Sequence, residues 1–118
     1  MTGPVVIYHN PRCSKSRAAL DLLRSRGIAP RIVLYLETPP DAATIDDLLR
    51  RLDLPPRALI RSGDAEYGAL GLAAGAVDDA ALVAAMASHP RLIERPIVVR
   101  GERAVIARPA ERLLALLD

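Results

Sequence analysis

The chain opens with a short unbroken apolar run, Val5-Val6-Ile7-Tyr8, the pattern of a buried strand. His9-Asn10-Pro11-Arg12 follows as a turn, because Pro11 cannot continue a strand ladder. From Cys13 to Arg26 the apolar positions Ala18, Ala19, Leu22 and Leu23 recur at helical spacing, and Gly27 supplies a C-terminal stop. Arg31 to Leu36 reads as a second strand. A strand, a helix and a strand in this order favour a parallel pair joined by the helix.

Glu37-Thr38-Pro39-Pro40 breaks the pattern. Asp41 then reads as the cap of a helix reaching about Leu52, with Ile45, Leu48 and Leu49 on one face. Pro55-Pro56 starts a short helix that ends near Ile60, and Arg61-Ser62-Gly63-Asp64 is a loop. Helical patterns return at Tyr67 to Leu70 and at Asp78 to Ser88, so the stretch from about 41 to 90 is predicted all helical. Ile97-Val98-Val99 and Ala104-Val105-Ile106 read as two strands joined by a turn at Gly101-Glu102. Pro109 stands at the first turn of a last helix, Ala110 to Leu117. The expectation is one domain over residues 1–118, β-α-β then β-β-α around a mixed four-stranded sheet, with a helical insertion.

Composition changes this picture little. The 118 residues are 51% hydrophobic, with no Trp or Phe, so the core must be aliphatic. A formal charge of +2 with interspersed signs gives no nucleic-acid face. The absence of an 18-residue apolar run argues against a membrane span. With no signal-peptide pattern and a lone cysteine, the expected location is cytoplasmic. Fifteen of the sixteen basic residues are Arg, so an arginine is not by itself a site signal.

Cys13, the only cysteine, falls where a turn passes into a helix. First-turn N–H groups and the helix dipole favour a thiolate there, and Arg12, Lys15 and Arg17 add local positive charge. The plain alternative is an inert buried cysteine, but the polar flanks offer no apolar pocket. The same helix start could cradle an oxyanion. His9 is either a proton carrier beside the thiol or an ordinary turn histidine. His89, before Pro90, reads as ordinary. Asp46, Asp47, Asp78 and Asp79 read as solvated helix faces. The single Cys and two separated His lack zinc-site spacing, and no glycine-rich nucleotide loop is present.

The segment Ile7-Tyr8-His9-Asn10-Pro11-Arg12-Cys13-Ser14-Lys15-Ser16-Arg17 resembles the active-site signature of the glutaredoxin-coupled arsenate reductase family. Tyr35 to Pro40, Arg57 to Arg61, Glu94 to Val99 and Ala107 to Glu111 resemble its later motifs, in order and along the whole chain. The resemblance implies a thioredoxin-like α/β fold with a helical insertion. It implies Cys13 as the nucleophile toward arsenate, with Arg61, Arg95 and Arg108 binding the oxyanion. His9, Asn10, Ser16 and Arg17 would shape the anion cradle. In such a fold Arg95-Pro96 is where a cis-proline faces the redox cysteine.

The resemblance also implies glutathione as co-substrate and glutaredoxin as partner, with no bound cofactor, no metal, and neither nucleic acid nor membrane as a partner. A chain with one cysteine cannot resolve its own adduct, so the reducing thiol must come from outside. Two other readings share the scaffold. One is a different glutathione-dependent thiol oxidoreductase. The other is an Spx-like regulator that binds RNA polymerase, although Ser16 stands where a Cys-x-x-Cys switch needs its second cysteine.

Overall fold

The computed structural model describes residues 3–73, 75 and 77–117. Its contacts divide the chain into two units. One holds the residues up to Thr38 and those from Arg95 onward, and the other is Pro39–Glu94.

The first unit is built on a four-stranded sheet. Strand β1 (Val5–Tyr8) is central. It pairs in parallel with β2 (Arg31–Val33) and antiparallel with β3 (Ile97–Arg100), which pairs antiparallel with β4 (Arg103–Ile106). The order is β2-β1-β3-β4, the mixed sheet expected from the sequence. Val5 and Ile7 are buried while Val6 and Tyr8 are half-exposed, as the two-residue period of a strand requires.

Helix α1 (Ser14–Ser25) connects the parallel strands and buries Ser16, Ala19, Leu20 and Leu23. Its end closes as a Schellman turn. The Ile28 N–H donates to the Leu23 carbonyl at 3.1 Å and the Gly27 N–H to Arg24 at 3.0 Å. Gly27 takes φ +76°, a left-handed conformation that costs a side-chain-bearing residue energy. Ile7, Leu23, Val98, Leu113 and Leu116 form the centre of this unit's aliphatic core.

Two elements differ from expectation. The second strand stops at Val33, not Leu36. The Leu34 carbonyl instead accepts the N–H groups of Glu37 and Thr38, at 2.9 and 2.8 Å, so the chain turns away while Tyr35 is buried and Leu36 exposed. The last helix, Ala110–Leu116, is a 3-10 helix. Its end is held by i→i+3 bonds such as Leu117 N–H to the Leu114 carbonyl, at 3.1 Å.

The second unit is mostly helical: α2 (Ala42–Leu52), α3 (Pro56–Leu59), α4 (Ala65–Ala69), α5 (Asp79–Ser88) and a 3-10 turn at Pro90–Leu92. Asp41, Asp64 and Asp78 cap α2, α4 and α5 with their carboxylates. Ile45, Leu48 and Leu49 line the buried face of α2, which packs on α5. An isolated antiparallel bridge, Ile60 to Ile93, joins the residue after α3 to the one after the 3-10 turn. Among the described residues no helix is long and apolar enough to cross a membrane.

Candidate active site

The loop between β1 and α1 is fixed by its own polar groups. The His9 N–H donates to the Val33 carbonyl at 2.9 Å, continuing the parallel pairing one residue past the strand. The Asn10 carbonyl accepts the Cys13 N–H at 3.0 Å, and Asn10 Oδ1 accepts the Arg12 N–H at 3.0 Å. Asn10 thus clasps the turn twice.

Ser16, fully buried, closes the loop from inside. Its Oγ accepts the Asn10 N–H at 3.0 Å and lies 2.6 Å from His9 Nδ1. His9 is buried as well. Burial lowers its pKa, the charges of Arg24 and Arg17 lower it further, and Asp21 opposes them. A neutral His9 suits this position, since Nδ1 and Oγ then share one proton. His9 therefore supports the loop through Ser16. Among the described residues its ring bonds to Ser16 and not to the thiol.

Cys13 is the N-cap residue of α1, with extended backbone (φ −99°, ψ 122°) and a half-buried side chain. Its sulfur closes no capping hydrogen bond, but the Ser16 and Lys15 N–H groups and the Arg95 guanidinium face it. Burial by itself would push the thiol pKa up. The Ser16 and Lys15 N–H groups, followed by the charge and hydrogen-bonding of Arg95, outweigh burial, so the net shift is downward.

The expected helix-start effect is therefore present, while the cation acting on the sulfur is Arg95. Among its neighbours in sequence, Arg17 donates to the Pro11 carbonyl at 3.0 Å. Arg95 is half-buried. Its Nε and Nη1 atoms are buried without hydrogen-bond partners among the described residues, which leaves strong donors beside a nucleophilic sulfur. Arg95-Pro96 is a cis peptide, and so is Arg108-Pro109.

The other predicted arginines have different settings. Arg108 belongs to the same unit as Cys13 and is exposed. Arg61 belongs to the helical unit. Its Nη1 donates to the Arg91 carbonyl at 3.3 Å, and its guanidinium lies 3.6 Å from both Asp64 and Glu94. Asp64 also accepts from Arg91 Nη2 at 3.3 Å. The Glu66 N–H is the main group holding the Asp64 carboxyl below its usual range, against burial and with help from Arg91 and Arg61. The sequence reading missed this support for Arg61. Its signal was the Arg61-to-Asp64 spacing across a tight loop. His89, read as ordinary, ends α5 and lies 3.2 Å from Glu66.

Comparison with known proteins matches residues 8–116 to the ArsC family. The chain is 50% identical to the protein YfgD of Escherichia coli K12, covering 99% of each. It is 48% identical to the arsenate reductase of Neisseria meningitidis serogroup A, covering 96% of this chain and 97% of that one. Among solved structures, the arsenate reductase of Vibrio cholerae superposes with a TM-score of 0.94 at 47% identity, covering 98% of each chain. The fold is thus the thioredoxin-like α/β fold of these reductases.

Proposed function

The chain belongs to the ArsC family, and on that premise we propose that it is an arsenate reductase driven by external thiol, with glutathione as co-substrate and glutaredoxin as partner. The observation that carries the reading is the pairing of the Cys13 sulfur with Arg95. A thiolate attacking a negatively charged substrate must overcome repulsion, and partnerless guanidinium donors beside it offset that repulsion.

In the proposed sequence the Cys13 thiolate attacks arsenic. An arsenate oxygen leaves as water after taking up a proton, giving a Cys13–S–As(V) adduct with no electron transferred. An external thiolate then attacks the Cys13 sulfur. The S–As bonding pair departs with arsenic, which becomes As(III) and leaves as arsenite, while the two sulfurs form a mixed disulfide. A second external thiol attacks that disulfide and frees Cys13. The balance is one arsenite and one external disulfide for each arsenate and two thiols. Because this chain has a single cysteine, both thiols come from outside.

Arg95 binds the oxyanion and stabilises the charge moving between sulfur and oxygen. Arg108 joins Arg95 on the anion in this proposal, Arg61 keeps the oxyanion-binding role that the family resemblance implies, and His9, Asn10, Ser16 and Arg17 hold the cradle in shape. The test is arsenite production by the purified protein with arsenate, glutathione and glutaredoxin. Wild type is expected to form arsenite and Cys13→Ser to form none. Equal arsenite production by Cys13→Ser, or none by the folded wild type, refutes the reading.

A further inference from the structure

The loop leading into Cys13 also lines a groove beside the anion cradle. His9, Asn10, Pro11 and Arg12 line it from this loop, and Leu34, Leu36 and Glu37 from the turn after β2; the chemistry above gives the last three and the Arg12 side chain no role. The groove of about 420 Å³ lies within the size range of small-ligand clefts. It exists because β2 ends early: the turn at Leu34 carries Leu36 and Glu37 out of the sheet. Leu36 is 40% exposed, one of three large apolar residues so exposed among those described.

Two opposite charges edge this apolar floor. The Arg12 guanidinium and the Glu37 carboxylate are both exposed, and among the described residues neither side chain has a hydrogen bond or ion pair. A free carboxylate and an apolar floor disfavour an oxyanion. They suit a molecule carrying an ammonium group at one end, a carboxylate at the other, and an apolar or thiol-bearing middle. Arg12 is bonded directly to Cys13, and a tripeptide extends about 10 Å, enough to lie in the groove and present a thiol at the sulfur.

We infer that the groove between the Pro11–Arg12 turn and Leu34–Glu37 is the docking site of a zwitterionic peptide thiol, the reducing co-substrate. Glu37 pairs with its ammonium group, Arg12 with a carboxylate, and Leu34 and Leu36 cover its stem. The inference rests on the reading that external thiol turns Cys13 over, yet it can be tested without arsenate.

The experiment follows formation of the Cys13 mixed disulfide with two probes, oxidised glutathione and the uncharged hydroxyethyl disulfide. In each case the Cys13 thiolate attacks the disulfide, one sulfur joins Cys13, and the other leaves as thiolate. Glu37→Gln is expected to slow the glutathione reaction about fivefold, the upper end of what an exposed ion pair contributes. The hydroxyethyl reaction and the iodoacetamide alkylation rate should stay unchanged. Glu37 is not among the groups that shift the Cys13 thiol, and removing a negative charge cannot weaken a thiolate, so a selective slowing cannot come from a weaker nucleophile. Leu36→Asn should act in the same direction.

Equal effects on both probes, or no effect on either, overturn the inference. It is also overturned if the variants impair only the reaction with glutaredoxin, because the groove would then serve a protein. Selective slowing in a protein that forms no arsenite would uphold the groove and refute the arsenate assignment.

Discussion

Replacing Ser16 with Ala removes one oxygen and strands two buried or half-buried groups. Ser16 Oγ accepts the Asn10 N–H at 3.0 Å and shares a proton with His9 Nδ1 at 2.6 Å. Ser16 and His9 are 0% and 5% exposed, so water cannot readily replace the hydroxyl. Leaving each of the two partners unsatisfied costs about 1–3 kcal/mol, which places the loss of stability near about 2–6 kcal/mol. With about 2.1 cal/mol/K of unfolding entropy per residue, each kcal/mol lowers Tm by about 4 °C in a chain this long, so Tm should fall by about 8–24 °C.

Urea denaturation followed by circular dichroism gives the free energy, and a thermal scan gives Tm. The function should suffer in parallel. Ser16 lies in the first turn of α1, where its own N–H and that of Lys15 draw the Cys13 pKa down. A loosened turn moves that pKa up, so Cys13 alkylation should require higher pH. In a double-mutant cycle with His9→Gln, the two losses should fall short of additive by about 1 kcal/mol, because they break the same bond. A Ser16→Ala protein within about 0.5 kcal/mol of wild type, the range of ordinary surface changes, would refute the reasoning.

Arg95→Gln should lower kcat/KM for arsenate by about a hundredfold, as loss of a preorganised charged donor does; initial-rate kinetics checks this. The pH dependence of stability should show His9 first. Its folded pKa lies below the ordinary 6.5, so the native state binds fewer protons than the unfolded chain. Stability is complete above about pH 6.5 and falls as pH drops through the folded value, a decline that urea titrations at stepped pH should find before the carboxylates titrate. Leu23→Ala, at a 0% exposed core position, should cost about 2–5 kcal/mol in denaturant titration.

Much of the fold was legible because short patterns sufficed. Val5–Tyr8 is three β-branched residues and an aromatic one, and Asp41 and Pro56 mark their helix starts with residues suited to those positions. The misjudged ends depended on other forces. Leu34 to Leu36 continues the apolar run of a strand, yet the hydrogen bonds from Glu37 and Thr38 to Leu34 end it. In Ala110–Leu116 the buried residues are Leu113 and Leu116, three apart, a spacing that falls on one face of a 3-10 helix and of an α-helix alike, so apolar spacing could not separate them.

The site divided along the same line. Cys13 at a helix start is a local feature and could be read directly. That Arg95 faces its sulfur depends on β3 entering the sheet beside β1, and residue spacing alone carries no such information. The groove at Leu36 and Glu37 was hidden for a related reason, since it arises from the early end of β2.

The central claim is that Cys13 is an activated thiolate poised at an oxyanion site. The most direct test is the rate of Cys13 alkylation by iodoacetamide across pH, with and without arsenate. The account predicts a titration midpoint below that of an ordinary cysteine and saturable protection by arsenate. An ordinary midpoint, unmoved by arsenate and with no protection, would contradict it.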